Sequence, residues 1–221
     1  MSLPTNSIRS MLRADHARLA DLITGLTDDQ ARADSALPGW SRGHVLTHLA
    51  EHAKALKRQT EYALDGKLVD MYDGGPPSRA AAIQAGSSRP ASALVDDVVQ
   101  SAKELETAWD AVGPNDWERP VTYRNGTLEG IVLARWRELE IHSADLNLGH
   151  VDWSPEFCDY IIGFLSPRVP SGVSVALPDR VLGDGEPVHV SGDPREIAAW
   201  LAGRDHSGLT FSQPIELGPW P

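Results

Sequence analysis

The sequence predicts an α+β fold in which a four-helix bundle is followed by a small α/β unit. Three observations lead there. Apolar residues recur at helical spacing through the first two-thirds of the 221-residue chain. Gly and Pro interrupt that pattern at a few points and divide it into four long segments. After Val151 the character changes to short β-type runs separated by Gly, Asp and Pro. The expected division is residues 1–150 for the bundle and 151–221 for the α/β unit.

The first helix is read from Ile8, Leu12, Leu19, Ile23 and Leu26. Pro38 and Gly39 break the chain, and Ser41 is placed to cap a second helix running to Leu64 or Asp65, with Gly66 closing it. Residues 67–90 are rich in Gly, Pro and Ser, a length at which a loop is often functional, and 78–85 could form a short helix. The third helix carries Leu94, Val98, Leu105, Trp109 and Val112 and stops at Gly113-Pro114. The fourth begins near Thr127. Amphipathic helices of this length pack as a bundle, and bundle cores commonly hold metal sites. Beyond them, 155–165 and 195–202 read as short helices, and 173–177, 187–191 and 209–211 as strands.

Composition narrows the function. A chain 41% hydrophobic and 23% charged belongs with globular rather than disordered proteins. The net charge of −11 and the absence of a basic stripe argue against nucleic acid and anionic membranes as partners. No apolar run is long enough to span a bilayer, and the first residues carry no signal-peptide pattern. The single cysteine, Cys158, rules out a disulfide within the chain, so a cytoplasmic location is expected. With no His or Arg beside it in sequence, Cys158 reads as a packing residue rather than a nucleophile. A monomer is expected.

The most informative segment is 136–146. Glu138 and His142 are i and i+4, so they lie one above the other on one helix face. Ile131, Ala134 and Ile141 surround Glu138 on a helical wheel, with Leu139 and Leu146 at the flanks, whereas Glu140 and Asn147 fall on the opposite side. An inward carboxylate is costly unless it is paired or bound to a metal. The second helix offers a third ligand from His44, His48 and His52, one turn apart, and geometry alone does not choose among them. Two imidazoles and one carboxylate leave an open position, the pattern of catalytic zinc, with iron as the rival on ligand type. Asp145, one turn beyond His142, is placed either to orient that ligand or to pair with an Arg. Trp40 and Trp136 read as core or pocket wall, and His16, His150, His189 and His206 carry no supporting pattern.

The segments 38–42 (PGWSR), 46–50 (LTHLA) and 137–146 (RELEIHSADL) resemble the DinB-like superfamily, and within it the mycothiol-dependent maleylpyruvate isomerases. The resemblance extends over nearly the whole chain. It implies zinc held by His48, Glu138 and His142. It also implies two arginines acting on the substrate, which match Arg79 in the long loop and Arg204 in an Ala-Gly-Arg setting after the last helix. His52 and the sequence after Arg204 depart from the family's pattern.

The implied partners are a small dicarboxylate and a low-molecular-weight thiol. The implied reaction converts maleylpyruvate to fumarylpyruvate: mycothiol, bound to zinc as thiolate, adds to the cis double bond, the bond rotates, and elimination follows. Two Arg side chains suit the substrate's carboxylates and the developing enolate charge. Three rival readings use the same scaffold. A mycothiol S-transferase would keep the zinc site without needing Arg79 or Arg204. A non-enzymatic metal-binding domain would favour a closed site completed by His44 or His52. Metal-dependent hydrolysis ranks last, because no carboxylate is placed as general base.

Overall fold

The structure is a computed structural model that describes residues 4–149 and 151–221. The chain forms two compact units, Met1–Val151 and Asp152–Pro221. The expected boundary residue, 150, lies outside the described residues.

The first unit is helical: α1 (Thr5–Ile23), α2 (Asp28–Arg32), α3 (Arg42–Leu64), α4 (Gly75–Gly86), α5 (Ala91–Asp110) and α6 (Leu128–Asp145). The four long helices α1, α3, α5 and α6 make the bundle: α3 packs against α5 and α6, and α1 against α5 and α6. Its core is the predicted apolar stripe, with Ile8, Leu12, Leu19, Ile23, Leu94, Val98, Leu105 and Trp109 all buried. Each fully buried Leu, Ile or Val contributes about 1.5–3 kcal/mol over its exposed state. The short α2 is set by a capping box between Thr27 and Gln30, a signal the sequence reading passed over. The helix expected within 67–90 forms as α4, longer than predicted at its N-terminal end, where Pro76 and Pro77 occupy its first turn. Close contact seats α4 on α3, because Gly43 and Gly86 leave no room for a Cβ: one at Gly43 would stand 2.1 Å from the Ser87 carbonyl oxygen.

Helix α6 departs from the wheel reading. Asn147 is exposed and ends the helix at φ 51°, as its place predicts. Glu140, expected on the outward face, is 2% exposed. Its carboxylate accepts from Arg18 Nη2 at 2.5 Å. The reason is that α6 is covered on two sides, by α1 as well as α3, so it has little outward face along its middle. A charged residue on such a helix is buried with a partner rather than turned to water.

The second unit contains α7 (Pro155–Leu165), α8 (Pro194–Leu201) and a four-stranded sheet of β1 (Val173–Ala176), β2 (Val181–Gly183), β3 (Glu186–Ser191) and β4 (Thr210–Phe211). Strand order is β2-β1-β3-β4, with β1 and β3 parallel and both edges antiparallel. Val175 pairs with Val188, and both are buried. Strand β2 was not predicted; three residues with one buried position, Leu182, give too little alternation to read. Cys158 is buried on α7. Among the described residues, no helix is long and apolar enough to cross a membrane.

Candidate metal centre

The site is built on α3 and α6. Helix α3 starts at a capping box: Ser41 Oγ accepts from the His44 backbone N–H, and the Ser41 N–H donates to His44 Nδ1 at 3.1 Å. Helix α6 starts at Thr127, whose side chain accepts from the Gly130 N–H. Arg42 ties the two helices end to end: its guanidinium donates to the carbonyls of Leu146 and Asn147 at 2.7 and 2.9 Å. The helices therefore run antiparallel with a fixed register.

That register brings His48, Glu138 and His142 together, with one ligand atom from each within 4.8 Å of the others. Glu138 Oε2 lies 2.7 Å from His48 Nε2 and 3.3 Å from His142 Nε2. The two rings stand edge to face with centroids 4.7 Å apart. His48 is 2% exposed, whereas the Glu138 and His142 side chains keep 29% and 17%, so the cluster is closed on the α3 side and reachable on the other. Trp40 forms part of its wall, edge-on to His48.

Each outer nitrogen is held. His142 Nδ1 lies 2.8 Å from Asp145 Oδ2, a carboxylate only 1% exposed, so the ring carries its proton there and turns Nε2 to the cluster. Of the two roles open to Asp145, orienting the histidine is the one this contact meets. His48 Nδ1 accepts from Arg79 Nη2 at 2.9 Å. Arg79 also stacks over Tyr72 and lines a groove of about 250 Å³ with Lys54, Arg58 and Met71.

The charges follow from these contacts. Burial alone would raise the Glu138 carboxyl, but hydrogen bonds to His142 and His48 and the neighbouring imidazoles hold it well below the usual range. Burial opposes charge on His142 as well, yet its bonds to Asp145 and Glu138 push it up to about 9. Burial dominates at His48 and brings it down to about 4. Without a metal the cluster is thus a carboxylate paired with one imidazolium and one neutral imidazole. Two imidazole nitrogens and a carboxylate oxygen converging on one point fit a divalent cation such as zinc, with a position to spare.

The competing histidines are sorted by their surroundings. His44 spends Nδ1 on the helix cap, and its Nε2 lies 3.3 Å from Gln84 Oε1. His52 is 3% exposed, has no hydrogen-bond partner on either ring nitrogen, and lies outside the cluster. Burial holds it neutral. Arg204 belongs to the second unit, beyond α8, where its Nη1 donates to the Ala202 carbonyl at 2.7 Å.

Sequence reasoning missed Arg135 and His16. Arg135, on α6, is 0% exposed; its Nε donates to His16 Nε2 at 3.1 Å and its Nη1 to the Leu49 carbonyl at 2.8 Å. His16 Nδ1 in turn lies 2.6 Å from Glu106 Oε1. The available signal was the position of Arg135 three residues before Glu138, where a cation interrupts a run of buried apolar residues.

A family model described as the mycothiol maleylpyruvate isomerase N-terminal domain matches residues 12–147. Among solved structures, the crystal structure of the mycothiol-dependent maleylpyruvate isomerase aligns with a TM-score of 0.87 at 24% identity, covering 98% of this chain and 97% of that one. A histidine-to-alanine mutant of that enzyme aligns at 0.88 and 23% identity, with the same coverage. These two likenesses establish the fold. No curated protein sequence matches.

Proposed function

Because this chain belongs to the family of the mycothiol maleylpyruvate isomerase N-terminal domain, we propose that it is a zinc- and thiol-dependent cis–trans isomerase acting on maleylpyruvate. The convergence of His48 Nε2, Glu138 Oε2 and His142 Nε2 on one partly open point carries the reading. When bound, zinc and mycothiol would together supply a thiolate at neutral pH, whose reversible addition across the double bond lets that bond rotate to give fumarylpyruvate.

The chain's own residues hold and orient. His48, Glu138 and His142 are the metal ligands, and Asp145 fixes His142 in the tautomer that ligates through Nε2. His48 ligating through Nε2 carries its proton on Nδ1, which then no longer accepts from Arg79. The guanidinium is released from the 2.9 Å contact and becomes available to a substrate carboxylate. Arg204 is proposed as the second carboxylate partner.

A mycothiol S-transferase on the same zinc site is the second reading, and the stacking of Arg79 over Tyr72 favours it, since a transferase has no need of that arginine for substrate. The experiment follows maleylpyruvate consumption by zinc-loaded protein with mycothiol, with glutathione and with no thiol. Fumarylpyruvate formed only with mycothiol supports the isomerase. A product that keeps the thiol covalently bound transfers the assignment to the transferase, and full activity in a zinc-free His48→Ala protein overturns the metal reading.

A further inference from the structure

Arg135 is a cation in the core with no carboxylate of its own. Its guanidinium spans three helices, from α6 to His16 on α1 and to the carbonyl of Leu49 on α3, the residue after His48. Both acceptors are neutral, and Nη2 has no partner. Burial draws its pKa down to about 10, which still leaves it charged at neutral pH. Glu138, one turn further along α6, is the anion that acts on it most strongly, and Glu106 follows, bonded to the His16 ring. Because His16 Nε2 accepts from Arg135, its ring proton sits on Nδ1 and is donated to Glu106. Glu106, His16 and Arg135 thus form a hydrogen-bonded chain from α5 through α1 to α6, ending one turn before Glu138.

We propose that Arg135 sets the charge of the metal centre and thereby its preference for an anionic fourth ligand. The inference rests on the metal reading above. Glu138 brings one negative charge to a divalent cation; the buried guanidinium one turn below offsets that charge in a medium where water screens little. The centre is left electron-poor, binds metal less tightly than its donor set allows, and favours a thiolate or another small anion over a neutral ligand. Arg135 touches no ligand and acts through Glu138.

The test measures zinc affinity by chelator competition, and azide binding to the cobalt(II)-loaded protein from its visible spectrum. Removing the charge in Arg135→Met is expected to tighten zinc and weaken azide, each by about tenfold, the scale of one unit charge acting at one to two helical turns in a protein interior. Glu106→Gln removes the offsetting anion and is expected to shift both in the opposite sense. Arg135→Lys keeps the charge but not the paired hydrogen bonds, and should retain azide binding, which separates charge from packing. Shifts of the same sign in Arg135→Met and Glu106→Gln, or no shift in Glu106→Gln, overturn the proposal; the latter carries the test alone if Arg135→Met does not fold. Wild-type protein that takes up no zinc fails the metal reading itself, whereas zinc uptake with unshifted variants fails only the role of Arg135.

Discussion

Asp145 offers the most direct measure of how the surroundings of the proposed ligands govern the site. Its carboxylate is 1% exposed and lies 2.8 Å from His142 Nδ1. Asp145→Asn keeps an oxygen able to accept the ring N–H and removes only the charge. Asp145→Ala removes the acceptor as well and leaves Nδ1 without this partner beneath a side chain only 17% exposed. Loss of an outer partner of a ligating histidine costs about 10- to 100-fold in metal affinity. The Asn variant belongs at the lower end, ~1.4 kcal/mol, and the Ala variant near the upper, ~2.7 kcal/mol. Neither change touches the Asp145 carbonyl, which accepts from the Ala36 N–H, so the helix end is preserved. Competition with a chromophoric zinc chelator gives the affinities, and circular dichroism of the metal-free proteins controls for folding. Wild-type affinity in both folded variants, or a larger loss for Asn than for Ala, refutes the reasoning.

Two further outcomes concern the scaffold. Gly43→Ala places a Cβ 2.1 Å from the Ser87 carbonyl oxygen, a backbone atom that no side-chain rotation can clear, so α4 must move; a loss of about 1–3 kcal/mol is expected, and an unchanged urea midpoint would reject that close approach. His16 is held below its ordinary value of 6.5, chiefly by burial, so as pH falls through 6.5 the unfolded chain binds a proton that the folded protein refuses. Stability from this residue is therefore complete above 6.5 and declines below it. Melting temperatures of metal-free His16→Gln should fall less steeply as pH drops below 6.5 than those of wild type, and parallel curves would rule the residue out.

The bundle was legible because its long helices carry apolar stripes and the two that build the site, α3 and α6, carry their own boundary chemistry. Ser41, Gly66 and Thr127 act at helix ends where the sequence places them. The β2 strand and α2 were missed because three and five residues span fewer than two periods of their patterns, too few for a repeat to be read. Glu140 shows a different limit. A wheel assumes one wet face, and a helix packed against two neighbours has almost none, so the outward position became an ion pair with Arg18 from α1. No inspection of α6 alone reveals the second neighbour. Arg79 shows a third: its contact with His48 depends on how α4 seats on α3, which two glycines 43 residues apart in sequence permit.

The three histidines of α3 show where sequence reasoning needs the fold. They share one stripe and one spacing, so periodicity treats them alike. What separates them is height along the helix relative to α6. Height is fixed at one end by the Ser41–His44 cap, which starts α3, and by Arg42, whose bonds to the Leu146 and Asn147 carbonyls anchor that start to the end of α6. It is fixed one level deeper by the bond from Arg135 to the Leu49 carbonyl. Between those two ties only His48 stands level with Glu138 and His142; His44 is consumed by the cap, and His52 lies with the apolar core. A slip of one turn would offer a different histidine to the carboxylate. The residues that choose which histidine meets Glu138 are therefore Arg42 and Arg135, neither of which belongs to the cluster.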